Sequence, residues 1–315
     1  MPSNQNPLGA LPARFRRQRL LIIGCGDVGL RVARNFNARL RVLALTSSPA
    51  RVSELRAAGI TPLVGNLDAA ASLARLGGLA TRVLHLAPPP GQAEAGTRWW
   101  LDPRSTALAR ALRRRALPQA LVYASTSGVY GDCAGDWVAE SRPVAPATPR
   151  AQRRVNAEGA MRHLGHAGVR VSILRVPGIY APDREGGTPE ARLRRGTPVL
   201  AEPDDVYTNH IHADDLARAC VAALWRARPQ RAYNVADESQ LKMGDYFDLA
   251  ADLYGLQRPP RVPRSLAQEQ LPLSLLSFMG ESRRLLTTRM ARELRLRLRY
   301  PTVREGLAAA PHQRG

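Results

Sequence analysis

The chain has 315 residues, of which 44% are hydrophobic, and its 46 basic and 26 acidic residues give a net charge of +20. This length suffices for one large domain or a domain with a smaller second part, and the hydrophobic content excludes an intrinsically disordered chain. Because no run of about 18 apolar residues is present, a membrane-spanning helix is also excluded.

The basic charge is spread along the chain rather than gathered in one patch. Lys242 is the only lysine, so nearly all of the charge comes from arginine, as in a compositional bias. The excess of basic over acidic residues is compatible with a nucleic acid, a polyanionic partner or an anionic substrate, and we expect a small anionic metabolite. Nucleic-acid binding is a remote alternative, because no nucleic-acid-binding module accompanies the charge.

The three cysteines, Cys25, Cys133 and Cys220, lie far apart. Their odd number and wide spacing are typical of reduced thiols and provide no metal-ligand motif. We therefore expect a cytoplasmic protein without a structural metal.

A glycine-rich loop, Gly24-x-Gly26-x-x-Gly29, joins the first predicted strand, residues 20–23, to a helical pattern. Gly24 permits a tight turn, Gly26 lets the backbone approach a pyrophosphate, and Gly29 lets the helix pack on the strand. Because free amides and the positive end of the helix face the anion, this context predicts a dinucleotide site. The predicted cofactor contacts in the loop are Gly24, Cys25, Gly26, Asp27, Val28 and Gly29. Of these, Asp27 is expected to cap the helix rather than to touch the ligand.

The second predicted strand ends in hydroxyl side chains and an arginine. An NAD site of this type needs a carboxylate about 20 residues past the glycines to bind the ribose 2′-hydroxyl, but none is present before Glu54. Thr46, Ser47 and Arg51 suit a 2′-phosphate instead, so we expect NADP, with NAD as the alternative. Arg51 could also be a solvated residue in the first turn of a helix over 51–58.

Strands and helices alternate through the first half of the chain. The pattern predicts strands at 20–23, 41–45, 59–64, 82–86 and 121–125, and helices at 51–58 and 106–116. This alternation is typical of an α/β fold with a Rossmann-type, doubly wound parallel sheet, whose ligand site lies at the carboxyl ends of the strands. The loops after the third and fourth strands therefore add Asn66, Leu67, Leu86, Ala87 and Pro88 to the predicted cofactor contacts.

The fifth strand begins a motif that points to chemistry. Residues 123–131 read YASTSGVYG. With the opening glycines, this motif resembles the extended branch of the short-chain dehydrogenase/reductase superfamily. The resemblance implies that the hydroxyl of Thr126, with Ser125 beside it, hydrogen-bonds a substrate oxygen. An ordinary Ser/Thr turn at a strand end is the simpler alternative.

The resemblance extends over residues 20–307. RVPGIY at 175–180, IHADDLA at 211–217 and YNV at 233–235 resemble segments of the same branch. The first of these implies a cofactor contact at Pro177. The whole pattern is most similar to a bacterial subgroup known only as NAD(P)-dependent epimerases, dehydratases or oxidoreductases.

The Tyr-x-x-x-Lys pair of the superfamily is absent. Glu158 matches a glutamate that follows the lysine by four residues in the extended branch, which places Arg154 at the lysine and Arg150 at the tyrosine. A nearby cation can lower a tyrosine pKa of about 10 towards neutrality, whereas arginine titrates above about 12 and stays charged. Arg150 therefore cannot act as the general acid, although Arg154 can still hold the cofactor ribose. Tyr130 is the nearest candidate replacement acid, with packing beside the nicotinamide as its alternative role.

Two further patterns remain in the second half. His210-x-His212-x-Asp214 has a spacing that a metal could use on a strand, but the resemblance already accounts for His212 and Asp214, so we expect no metal. Arginines alternate with leucines over 294–300, which predicts a half-buried strand with a cationic face. That face is either solvated or binds a phosphate.

The sequence divides into a larger and a smaller part. The predicted ranges are a disordered basic tail at 1–18, a dinucleotide-binding domain at 19–175 and 210–236, a smaller substrate-binding part at 176–209 and 237–308, and a tail at 309–315. The favoured function is an atypical NAD(P)-dependent oxidoreductase or epimerase. A non-catalytic NAD(P)-binding sensor or scaffold is the main alternative, and a homodimer is an open alternative to a monomer.

Overall fold

The computed structural model describes residues 18–36, 40–91 and 98–309. The predicted tails, except Gln18 and Ala309, lie outside these residues. The strands are β1 (Arg19–Ile23), β2 (Arg41–Thr46), β3 (Thr61–Val64), β4 (Arg82–His85), β5 (Ala120–Thr126), β6 (Trp137–Val138), β7 (Arg170–Val176), β8 (Gly178–Tyr180), β9 (Val199–Leu200), β10 (His210–His212), β11 (Arg231–Asn234), β12 (Arg261–Val262) and β13 (Arg284–Leu285).

Seven of these strands form one parallel sheet in the order β11-β7-β5-β4-β1-β2-β3. The chain starts in the middle at β1, adds β2 and β3 on one side, and then crosses back to β4 and the strands beyond it. This reversal confirms the predicted doubly wound Rossmann-type sheet. A ligand cleft is expected beyond the carboxyl ends of β1 and β4, where the strand order reverses.

Helices cover both faces of the sheet. They are α1 (Asp27–Arg34), α2 (Val52–Ala57), α3 (Pro103–Leu112), α4 (Pro149–Gly165), α5 (Glu190–Arg194), α6 (Ala213–Arg226), α7 (Met243–Tyr254), α8 (Arg264–Gln270), α9 (Leu273–Met279), α10 (Thr288–Glu293) and α11 (Val303–Ala308). One apolar cluster packs α1 and α6 on the sheet, and another packs α3 and α4 on the opposite face. Because both faces are covered, residues 20–23 of β1 are fully buried and read as a continuous apolar run. Among the described helices, none combines the length and apolar character that a bilayer span requires.

A third apolar cluster lies in the C-terminal part, where α7 and α11 pack together around Phe247 and Val303. Its members come from residues 180–307 and so include both segments of the predicted substrate-binding part. The boundaries of that part stay a prediction.

The predicted strand at 294–300 is wrong. The segment is irregular after α10, and Arg295 has a φ of 52°, in the left-handed region that strands do not use. The carboxylate of Asp215 accepts hydrogen bonds from the backbone N–H groups of Arg299 and Tyr300 at 2.8–2.9 Å. These N–H groups are therefore not available for strand pairing, although Leu294 and Leu296 are buried as the alternation predicts.

Candidate functional site

A cleft of about 450 Å³ opens where the strand order reverses. It is bordered by the ends of β2, β5 and β7 and by the glycine-rich loop after β1. The predicted site residues that line it are Gly24, Cys25, Gly26, Asp27, Val28, Gly29, Thr46, Ser47, Arg51, Leu86, Pro88, Ser125 and Arg154. The fold thus brings together residues that come from five separate segments of the sequence.

The three glycines of the loop differ in what surrounds them. Gly24 has a φ of +83°, and a Cβ there would lie 2.5 Å from the backbone nitrogen of Ala87. A Cβ on Gly29 would lie 3.1 Å from the Cys25 sulfur, whereas a Cβ on Gly26 would meet nothing within 4 Å. Only Gly26 therefore faces open space, as a residue that a pyrophosphate approaches should. This open cradle fits a dinucleotide.

Some predicted cofactor contacts lie behind or outside the cleft. Ala87 packs against Gly24, and its backbone N–H donates to the carbonyl oxygen of Ile23 at 3.0 Å. Asn66 shapes its own loop, accepting a hydrogen bond from the N–H of Asp68 at 3.0 Å. Asn66, Leu67, Ala87 and Pro177 are not among the residues that line the cleft.

Arg51 joins the loop after β2 to the glycine-rich loop. Its Nη1 donates to the carbonyl oxygen of Cys25 at 2.7 Å, and its Nε and Nη2 donate to both carboxylate oxygens of Glu54 at 3.0 Å. The hydrogen bonds to Glu54 raise the pKa of Arg51, and those from Arg51 lower the pKa of Glu54. The guanidinium is therefore a charged group at the cleft, held by the Cys25 carbonyl and by Glu54, while a third of its side chain stays exposed.

Asp27 does not cap α1 as predicted. The cap position is Gly26, which has no side chain, and Asp27 is the first helical residue. Its carboxylate accepts from Nε of Arg31 at 3.1 Å and lies 3.6 Å from Nε of Arg184. Arg184 also lines the cleft. Nothing in the glycine motif indicates this arginine, because it follows β8, far along the chain.

Arg31 is the centre of a buried ionic network. Its Nη1 donates to Asp214 at 2.5 Å and its Nη2 to Asp183 at 2.6 Å, and its side chain is only 5% exposed. Burial opposes the charge, but the hydrogen bonds to Asp183, Asp27 and Asp214 outweigh it and raise the pKa of Arg31. The network ties the helix of the glycine loop to α6 and to the segment after β8.

The two histidines of β10 make contacts within the fold. Nδ1 of His212 accepts from the N–H of Asp214 at 3.2 Å and so caps α6. His210 stacks on Tyr246 with ring centroids 4.2 Å apart, and its burial lowers its pKa to about 4. No group of three or more potential metal ligands occurs in the part of the chain that the structure describes.

Ser125 and Arg154 lie at the β5 end of the cleft. Nη1 of Arg154 donates to the Tyr123 hydroxyl at 3.0 Å and to the carbonyl oxygen of Ala124 at 2.7 Å. Among residues 18–36, 40–91 and 98–309, Nε of Arg154 and Oγ of Ser125 are buried polar atoms without a hydrogen-bond partner. Two orphaned groups beside the cleft are what a bound ligand would satisfy.

Arg150 is exposed at the start of α4 and does not line the cleft. Partial desolvation and the charge of Arg154 lower its pKa. The pKa of a guanidinium is ordinarily above about 12, so this lowering begins from a value far above neutral pH.

The structure argues against Tyr130 as the replacement acid. Its ring is buried outside the cleft, and its hydroxyl donates to Oδ1 of Asn234 at 2.7 Å. Arg175, held by Glu158 at 2.9 Å, lies over the ring at 4.8 Å. Burial is the main cause that raises the pKa of Tyr130. A phenol that is buried, hydrogen-bonded and less acidic than usual is poorly suited to exchange protons with a substrate.

Glu281, which the sequence did not indicate, lies near Gly128, the second residue after Thr126. A Cβ on Gly128 would lie 3.7 Å from Oγ1 of Thr126 and 3.8 Å from Oε2 of Glu281. Oγ1 of Thr126 accepts from the N–H of Gly128 at 3.3 Å. Nη1 of Arg283 donates to Oε2 of Glu281 at 2.8 Å and fixes the carboxylate.

The fold and the cleft are those of a Rossmann-type nucleotide-binding protein. Residues 20–236 match the family model described as the NAD dependent epimerase/dehydratase family, and the chain belongs to that family. A comparison with curated proteins gave no match.

Several solved structures are similar over nearly the whole chain. A functionally unknown conserved protein from Silicibacter pomeroyi is 28% identical, with a TM-score of 0.71 and coverage of 92% of this chain and 96% of that one. The UDP-glucose 4-epimerase of Thermotoga maritima is 17% identical, with a TM-score of 0.74 and the same coverage. The UDP-glucuronic acid 4-epimerase of Bacillus cereus is 18% identical, with a TM-score of 0.70 and coverage of 93% and 97%. At these identities, the two epimerases show a shared fold.

Proposed function

We propose that the protein is an atypical NAD(P)-dependent oxidoreductase or epimerase that acts on a small anionic metabolite. The observation that carries this proposal is the open space above Gly26, in a cleft that Arg51 and Arg154 also line. The Thermotoga maritima enzyme was solved with UDP-glucose and the Bacillus cereus enzyme with NAD, which supports both the cofactor and an anionic substrate class.

The cofactor would be held by the backbone of the glycine loop, by Arg51 at one end and by Arg154 at the other. When bound, its nicotinamide would supply or accept a hydride. The chain itself must then bind the substrate oxygen and exchange its proton. Thr126 provides a hydroxyl that can bind the substrate oxygen, and its N–H donor at Gly128 fixes that hydroxyl at 3.3 Å.

The main alternative is a sensor or scaffold that binds the cofactor without turnover. The missing tyrosine favours it, whereas the retained Thr126 favours the enzyme. Native mass spectrometry of the purified protein tests the shared part of both hypotheses. A co-purified dinucleotide is expected, and a second bound ligand would identify the substrate class.

Arg51 is expected to give NADPH a higher affinity than NADH. Arg51→Ala should reduce that preference by about 10-fold or more, because a hydrogen bond to a charged group is typically worth about 1.5–3 kcal/mol. Isothermal titration calorimetry with both cofactors measures the effect. Arg56→Ala is the matched control, since Arg56 is an exposed arginine of α2. Equal affinities of the wild type for NADPH and NADH would contradict the preference for NADP.

Reduction of simple carbonyl compounds by the wild type is expected to be nearly undetectable. Loss of a general acid typically costs about 100- to 10,000-fold in rate, and Arg150 cannot supply the proton. Restoring the pair with Arg150→Tyr and Arg154→Lys should raise the rate of NADPH oxidation above that of Arg154→Lys alone. Rapid turnover by the wild type that survives Arg150→Ala would show that another acid is fully in place.

A further inference from the structure

We propose that Arg184, which lies beside Asp27 at the glycine-rich loop, binds the diphosphate of the dinucleotide. The inference rests on the proposed function and assigns a cofactor contact to the segment that follows β8. It begins from position, since Arg184 lines the same cleft as Gly26, Asp27 and Val28.

The fold holds the guanidinium of Arg184 in place without using all of its N–H donors. Nη1 donates to the carbonyl oxygen of Ile179 at 2.8 Å, which fixes the end of the side chain. Nε lies 3.6 Å from the carboxylate of Asp27, beyond normal hydrogen-bond distance. The side chain is 31% exposed, so an anion in the cleft can reach it. Planar guanidinium groups of this kind suit phosphate oxygens.

The backbone around Arg184 forms a compact loop. The N–H of Ala181 donates to the carbonyl oxygen of Gly187 at 3.1 Å, and the N–H of Gly187 donates to that of Arg184 at 2.9 Å. A Cβ on Gly187 would lie 2.5 Å from the carbonyl oxygen of Ala181. The loop is therefore already ordered, and ligand binding should cost little loop entropy.

The local charges explain why a cation is needed here. Asp27 places a carboxylate at the start of α1, where it repels an approaching diphosphate. The charge of Arg31 is compensated by Asp183 and Asp214, whose Oδ1 atoms lie 2.6 and 2.5 Å from its Nη2 and Nη1 atoms. Arg184 is the cation that lines the cleft next to Asp27. It both offsets that carboxylate and offers donors to the diphosphate.

The test compares ligands with and without phosphates. Calorimetry with NADPH, ADP and adenosine is performed on the wild type, Arg184→Met and Arg184→Lys. Arg184→Met should lower the affinity for NADPH and ADP by about 10- to 100-fold, as expected for lost charge-assisted hydrogen bonds. Its affinity for adenosine should change less than about twofold. Arg184→Lys, which keeps the charge without the fork, should be intermediate.

Arg195→Met is the matched control, because it removes the same charge from an exposed arginine at the end of α5. It should bind all three ligands like the wild type. If the wild type binds neither NADPH nor ADP, the proposed function fails and the inference fails with it. If the wild type binds both and Arg184→Met binds them equally well, only the inference is wrong. UDP-glucose is titrated in the same way, and a loss of affinity confined to it would also overturn the inference, by showing that Arg184 serves the diphosphate of a substrate.

Discussion

Gly26→Val is expected to abolish dinucleotide binding while the fold stays intact. Gly26 has a φ of −84°, which valine adopts freely, and a Cβ there meets no protein atom within 4 Å. The new side chain would therefore project into the space that the pyrophosphate must occupy. Because the side chain and the pyrophosphate cannot occupy the same space, we expect a loss of about 100-fold or more in NADPH affinity. Calorimetry measures the affinity, and thermal unfolding followed by circular dichroism measures stability.

Gly24→Val serves to distinguish a loss of ligand binding from a loss of stability. Its φ of +83° is unfavourable for valine, and its Cβ would lie 2.5 Å from the backbone of Ala87. This variant should lose stability as well as binding, whereas Gly26→Val should stay folded with only the small loss expected of valine at a helix N-cap. Wild-type NADPH affinity in Gly26→Val would contradict the assignment of the cleft to a dinucleotide.

The glycine-rich loop and the strands could be predicted because their signals are local. The turn, the cradle and the close helix contact involve three glycines within six residues, and the apolar run of β1 precedes them directly. Errors at the ends of elements also have local causes. The helix predicted at 106–116 begins at Pro103, because Asp102 accepts from the N–H of Arg104 at 3.0 Å and proline is favourable in the first turn.

The positions of the site residues that the sequence did not indicate depend on tertiary contacts. Arg184 comes from the second half of the chain and reaches the cleft only through the tertiary fold. Its place close to Thr126 in sequence makes Tyr130 a candidate acid, yet its hydroxyl donates to Asn234 of β11. Alternating leucines at 294–300 indicated burial correctly, but burial does not require strand pairing.

Arg31→Met is expected to cause a large decrease in the free energy of unfolding. Methionine retains much of the apolar stem but removes the charge that three carboxylates share. Removing one partner of a buried ion pair typically costs about 3–5 kcal/mol, because the remaining charge is left uncompensated in a medium that solvates it poorly. We expect a decrease of that size in the free energy of unfolding, measured by urea denaturation.

Arg194→Met is the matched control for Arg31→Met. Arg194 pairs with Glu190 one turn away on α5, but the two side chains are 63% and 44% exposed. An exposed pair of this kind contributes about 0–1 kcal/mol, so the variant should unfold almost like the wild type. Adding Asp183→Asn to Arg31→Met should restore part of the lost stability, because it removes a carboxylate that has lost its partner. If Arg31→Met loses no more stability than Arg194→Met, the network around Arg31 does not stabilise the junction between α1, α6 and the segment after β8.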